Sequence, residues 1–199
     1  MSASVILASG SEIRQQLLLG AGVAIKVETS PVDEPSIMAA LLQENAKPRD
    51  IADTLAEYKG RRVAIKNPDK IVISADQVLV CEGQVYSKPD TQEQAMTQLQ
   101  QLRGKGHQLL SAVVIFEDGA PVWRHIGRAQ LVMRDFSDAF LAEYIQKIGD
   151  DILTTVGCYK LESLGVQLFS QVQGDYFTIL GLPLIEVLGF LRTRGVLPT

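Results

Sequence analysis

Ile6-Leu7-Ala8-Ser9-Gly10-Ser11-Glu12-Ile13-Arg14 is the stretch that decides the fold. A short apolar strand breaks into two serines and a glycine and then enters a helix. At such a junction the serine hydroxyls and the unbonded N–H groups of the first helical turn converge, the helix dipole makes the spot positive, and Arg14 adds a formal charge. The arrangement suits a phosphate. Ser9 or Ser11 also serves simply as the N-cap that the helix needs.

Working outward, periodicity predicts a strand over residues 5–8, a helix over 12–21 with Ile13, Leu17 and Leu18 inward, and a strand over 25–29. The opening is therefore β-α-β. Two prolines bracket Ser30-Pro31-Val32-Asp33-Glu34-Pro35, which reads as a loop, and helices follow over 36–44 and 50–64, the second turning inward through Ile51, Leu55 and Tyr58. Ile71-Val72-Ile73-Ser74-Ala75 is β-branched and uninterrupted, so it reads as a buried strand with Asp76 at its C-terminal end. Residues 78–81 and 84–85 flank Glu82-Gly83 as a hairpin. Thr91 and Gln94 form a capping box for a helix whose inner face is Ala95, Leu99 and Leu102. Two long antiparallel strands over 107–116 and 122–133 join at Asp118-Gly119, a helix covers 137–147, residues 154–165 are loop-rich, and a strand over 166–171 precedes a closing helix over 182–194. Strands and helices in this alternation define an α/β protein.

Composition bounds the function. The 199 residues are 46% hydrophobic, enough to bury a sizeable core, and the net charge is −4 from 19 Lys and Arg against 23 Asp and Glu. That balance argues against a nucleic-acid polymer as partner, so any phosphate affinity must come from a local cluster of cations. No apolar run approaches a membrane span and the first residues lack a basic n-region, so the expected setting is cytoplasmic, with no membrane partner. Cys81, Cys158, His107 and His125 have no metal-ligand or CxxC spacing, and His107 reads as a strand-start residue.

Arg14, Lys59, Lys88 and Lys160, with Glu34, Asp76 and Glu162, fall in loops or at element ends. Hydrolysing a nucleoside triphosphate needs cations on the phosphate oxygens, a carboxylate to hold Mg²⁺ or Mn²⁺, and a base to activate water, and this inventory meets those needs. Each residue also has an ordinary structural use, Lys59 as a solvated helix lysine and Asp76 as a turn former.

The ordered blocks resemble the Maf-type nucleoside triphosphate pyrophosphatases, also described as septum-formation inhibitors, over nearly the whole chain. They are Leu7-Ala8-Ser9-Gly10-Ser11 with Arg14, Val32-Asp33-Glu34, Leu55-Ala56-Glu57-Tyr58-Lys59, Ser74-Ala75-Asp76-Gln77-Val78, Ser87-Lys88-Pro89, Leu102-Arg103-Gly104-Lys105-Gly106-His107, Gly157-Cys158-Tyr159-Lys160-Leu161-Glu162, and Gly181-Leu182-Pro183-Leu184. The resemblance implies a single domain over 1–199 with a Maf-like (ITPase-like) α/β fold. Its elongated mixed sheet would be flanked by helices, in two lobes around a central cleft, within a homodimer. It implies that a divalent metal cation, Mg²⁺ or Mn²⁺, serves as cofactor and that a nucleotide is cleaved to its monophosphate and pyrophosphate. Asp76 matches the proton acceptor, Ser9, Ser11, Arg14, Lys59 and Lys88 match phosphate-contacting positions, and Glu34 with Asp76 would hold the metal. Ile13, Gln77 and Glu162 match positions that set base preference. Gln77 and Glu162 are similar to the subgroup acting on 7-methyl-GTP rather than to the dTTP and UTP subgroup, whereas Ile13 stands where that subgroup commonly has an aromatic residue. The family's usual Ser-Pro-Arg-Arg continuation is here Ser11-Glu12-Ile13-Arg14-Gln15, so only one arginine remains and Glu12 brings an acid to the mouth of the phosphate site. The alternatives are a dTTP/UTP or broad nucleotide pyrophosphatase, and a nucleotide-binding regulator of cell division with little turnover.

Overall fold

Val5, Ile6 and Leu7 form β1 (Val5–Leu7), and all three are shut away from solvent, as a strand must be when it pairs on both edges inside an α/β sheet. The protein is described by a computed structural model over residues 5–198; residues 1–4, where the sequence shows no basic n-region, and Thr199 lie outside the described residues. β1 runs parallel to β2 (Ile25–Val27) and to β3 (Ile71–Cys81), with Val5 opposite both Ile25 and Ile71. Next in chain order come β4 (Gln84–Tyr86), β5 (Gly106–Glu117), β6 (Ala120–Met133) and β7 (Phe169–Gln173). The described residues make one seven-stranded sheet in the order β2-β1-β3-β5-β6-β7, with β4 paired antiparallel to β3 and β7 antiparallel to β6. A mixed sheet accompanied by helices is what the family resemblance implied.

The helices are α1 (Glu12–Gly20), α2 (Glu34–Gln43), α3 (Pro48–Lys66), α4 (Gln92–Leu102), α5 (Asp138–Ile148), the short α6 (Tyr176–Ile179) and α7 (Leu184–Thr193). No helix among the described residues is long and apolar enough to cross a membrane. The Thr91 hydroxyl accepts from Gln94 N at 3.2 Å as the capping box requires, while the Gln94 side chain accepts from Asp90 N at 2.8 Å, one residue earlier than the usual reciprocal bond. Glu82 and Gly83, both at positive φ (50° and 82°), make the two-residue turn between β3 and β4.

Several expectations shift. β3 does not stop at Ala75 but continues through Asp76 and Gln77 to Cys81, because both polar side chains find partners and the strand ladder need not break. α2 starts at Glu34 rather than after Pro35, since Asp33 caps it by accepting from Ser36 N at 3.2 Å and proline is tolerated in a first turn. On α1 the buried positions are Arg14 and Leu18, and Ile13 is only partly covered. On α3 the buried row is Ala52, Ala56, Gly60 and Ala64, four residues apart with Ile51, Leu55 and Val63 beside it, and Tyr58 lies off that row, exposed. The strand expected over 166–171 begins only at Phe169. Leu164–Leu168 is instead a tight 3₁₀ turn, which Gly165 permits by pressing on the Lys160 backbone, where a Cβ would sit 2.8 Å from Lys160 N. α6 was not anticipated, being too short for a helical period. α7 starts at Leu184, with Pro183 at its cap rather than in its first turn.

The chain divides into two compact units. The first comprises Met1–Gln77, Ser111–Gly127 and Asp175–Thr199, and its core gathers Val5, Leu7, Leu18, Ile73, Ile115 and Leu191. The second comprises Val78–Leu110 and Arg128–Gly174, with Leu99, Leu102, Leu109, Leu131 and Leu141 buried. β3, β5 and β6 contribute residues to both.

Candidate active site

The small-residue row of α3 is what brings the first unit's chemistry together. A Cβ on Gly60 would sit 2.6 Å from Ser74 Oγ, so only glycine lets α3 lie this close to β3. Lys59, the preceding residue, therefore reaches the strand, and its ammonium donates to Asp76 Oδ1. The same Nζ lies 2.8 Å from Glu34 Oε2 at the start of α2. One cation thus ties together two carboxylates, of which the Asp76 side chain is 8% exposed and that of Glu34 47%.

Arg14 is buried beside them. Its Nε donates to Gly181 O at 2.8 Å, and Nη1 donates to Ala75 O at 2.8 Å and to Ser9 Oγ at 3.1 Å. The cation expected to meet phosphate directly is thus engaged with protein carbonyls, and it braces the residue next to Asp76. Ser9 Oγ also accepts from Ser11 N at 3.3 Å. Ser11 occupies the N-cap position of α1 without a side-chain cap bond, so the hydroxyl that satisfies this helix end belongs to Ser9.

Burial sets the electrostatics. It raises the Asp76 carboxyl above the ordinary carboxylate range, against the opposing pull of the Lys59 and Arg14 charges. It also lowers Arg14, while the Asp76 and Glu34 charges work to keep the guanidinium charged. A buried carboxylate with a raised pKa is a better proton acceptor near neutral pH than a solvated one.

The residues expected to set base preference are not gathered at this point. Gln77 Nε2 donates to Ser111 Oγ at 2.9 Å, Ile179 O at 3.0 Å and Thr178 O at 3.2 Å, so its amide ties β3 to β5 and α6. Ile13 is half-buried on α1. Lys88 and Glu162 belong to the second unit: Lys88 is exposed between β4 and α4, and Glu162 is exposed in a turn after Lys160, whose Nζ pairs with Asp151 at 2.9 Å. Among the described residues no group of three or more His, Cys, Asp and Glu could hold a metal; the available oxygen donors here are the pair Glu34 and Asp76.

The Maf-like protein family matches residues 4–194. The chain belongs to the Maf-like protein family. A Ruegeria pomeroyi relative named nucleoside triphosphate pyrophosphatase is 51% identical over 199 residues, covering 100% of both chains. A Roseobacter denitrificans relative of the same name is 53% identical over 198 residues, again covering 100% of each. A Brucella abortus relative named 7-methyl-GTP pyrophosphatase is 43% identical over 192 residues, covering 96% of each.

In this Maf-like chain the sequence reading passed over Gly60, the carbonyls of Ala75 and Gly181, and the Ser111 and Thr178 partners of Gln77. The four-residue spacing of Ala52, Ala56, Gly60 and Ala64 was a usable signal for the first of these. Backbone acceptors leave no signal in a sequence.

Proposed function

We propose that this Maf-like chain is a nucleoside triphosphate pyrophosphatase. The observation that carries the reading is the buried Asp76 carboxylate held on the Lys59 ammonium with Glu34. Asp76 takes a proton from water as the water oxygen bonds to the α-phosphorus. The bond from that phosphorus to the β-phosphate bridging oxygen breaks, and the products are a nucleoside monophosphate and pyrophosphate. Lys59 offsets charge on the phosphoryl oxygens once it exchanges a carboxylate for phosphate, and the Ser9–Ser11 junction offers hydroxyls and helix N–H groups. Arg14 acts from behind, fixing Ser9 and Ala75 and so the position of Asp76.

Glu34 and Asp76 fit a hard divalent cation: both are carboxylates, they already converge on one positive group, and magnesium is commonly held by one or two carboxylates with the remaining positions left to water and phosphate. When bound, Mg²⁺ or Mn²⁺ would supply charge neutralisation on the phosphate oxygens.

For the base we favour 7-methylguanine. Glu162 is an exposed carboxylate, able to accept from the N1–H and N2–H₂ donors of guanine, and methylation at N7 makes the purine cationic. The Brucella abortus relative's name supports this choice. We further propose that the chain works as a homodimer, which light scattering would check.

A substrate panel tests the activity. Purified protein with Mg²⁺ or Mn²⁺ should release pyrophosphate, fastest from 7-methyl-GTP among the thymidine, uridine, guanosine and 7-methylguanosine triphosphates. Release of orthophosphate, or full activity in Asp76→Asn, would overturn the reaction. A preference for dTTP or UTP would overturn the base assignment alone.

A further inference from the structure

His107, near the start of β5, is 2% exposed, and its Nε2 is 2.8 Å from the Tyr159 hydroxyl. Its other ring nitrogen, Nδ1, is buried without a hydrogen-bond partner. An apolar side chain of similar size would avoid that cost, so an imidazole here needs a reason beyond filling space. The reason lies in what Tyr159 anchors. Its ring packs edge-on against Phe169 with centroids 4.7 Å apart, and His107 completes the cluster at 5.7 Å from Tyr159 and 5.9 Å from Phe169. The Tyr159 carbonyl accepts from Thr155 Oγ1 at 2.9 Å, and the preceding carbonyl, of Cys158, accepts from the Tyr144 hydroxyl at 3.0 Å. Immediately after this buried anchor the chain surfaces as Lys160-Leu161-Glu162, closed by Ser163 N donating to Lys160 O at 3.1 Å. Tyr159 is therefore the last buried side chain before Glu162, three residues away, and its hydroxyl is held by the imidazole.

We infer that His107 is a positioning residue for nucleobase selection, holding through Tyr159 the turn that presents Glu162. The inference rests on the reading of Glu162 as the base contact. It assigns His107 no contact with substrate. The prediction is a split between discrimination and turnover, because Asp76, Lys59 and Glu34 belong to the other unit and do not depend on this bond.

Tyr159→Phe keeps the ring packing and removes only the hydroxyl. Its kcat for 7-methyl-GTP should stay within about twofold of the parent, while KM rises and the kcat/KM preference for 7-methyl-GTP over UTP falls about fivefold to tenfold, the scale of one lost buried hydrogen bond. Hydrogen exchange at the amides of residues 160–163 should quicken. His107→Gln, which can still donate to the hydroxyl, should retain more of the preference than His107→Leu. Leu141→Ala, a core truncation in the same unit, should lower stability and leave the preference unchanged; an equal drop there would reduce His107 to a packing role and overturn the inference. Unchanged preference in Tyr159→Phe, in a protein whose preference Glu162→Gln does lower, also overturns it. Unchanged preference in Glu162→Gln would instead overturn the reading of Glu162 and the inference with it.

Discussion

The two units bury polar groups of opposite kinds. Around Asp76 the groups are ionic: Lys59 holds the buried Asp76 and the exposed Glu34, and the buried Arg14 donates to Ser9, Ala75 and Gly181. Around Tyr159 they are neutral. Burial pushes the Tyr159 and Tyr144 hydroxyls and the Cys158 thiol up and His107 down, so each stays uncharged across the physiological range. Lys88 and Glu162 of that unit are exposed. On the proposed function, the difference separates chemistry from recognition. A reacting carboxylate gains basicity from burial and must be matched by cations on rigid elements, whereas a recognition carboxylate needs only a firmly anchored turn beneath it.

The strongest way to break the comparison is Asp76→Asn. Removing the proton acceptor should cut kcat about 10³-fold in a pyrophosphate-release assay, with circular dichroism unchanged. A variant that kept its rate would mean that the buried ionic cluster is structural.

Acid is the next probe, and it reads the neutral unit. Burial pushes His107 from 6.5 down to about 4, so between those values the unfolded chain binds a proton that the native chain does not. Stability from this residue is therefore complete above about pH 6.5 and is lost as pH falls towards about 4, by about 3 kcal/mol if the full displacement is felt. Denaturant midpoints measured across that window should fall more steeply for the parent than for His107→Leu.

Gly60→Ala sharpens the ionic side. Its Cβ would meet Ser74 at 2.6 Å, so α3 must shift, at a cost of about 2 kcal/mol. Lys59 would move with the helix, and activity should drop more than stability alone explains. Comparing rates at a temperature where the variant is fully folded isolates that effect. The smallest change belongs to the recognition turn: Glu162→Gln should lower the 7-methyl-GTP preference about tenfold and leave kcat nearly unchanged, as competition between two triphosphates would reveal.

Much of the ionic unit was legible because each of its motifs pairs a local signal with a chemical one. Ser9, Ser11 and Arg14 announce a helix end, and Ser74-Ala75-Asp76 places an acid at the end of an apolar strand. What could not be seen was direction. Arg14 sits one turn before Leu18, and nothing local says whether a guanidinium at that spacing faces phosphate or three protein acceptors. The direction of Gln77 was hidden for the same reason, since Ser111, Thr178 and Ile179 arrive from distant parts of the chain to accept its amide protons. In the other unit, His107 was correctly placed at a strand start but its partner lies 52 residues away.

By itself the sequence determined the alternation of strands and helices, the turns at Glu82-Gly83 and Asp118-Gly119, the cap at Thr91, and the set of residue types that family membership carries. Those depend on interactions within a few residues, which composition and spacing encode directly. Only the tertiary structure decided that Lys59 spans Asp76 and Glu34, that Arg14 turns inward, and that β3 runs unbroken through Asp76. Each of these is a contact across long sequence separation, and its outcome depends on which partner outbids water for a buried charge. The Ser9–Arg14 junction is thus a helix end in the sequence and a brace beneath a carboxylate in the fold.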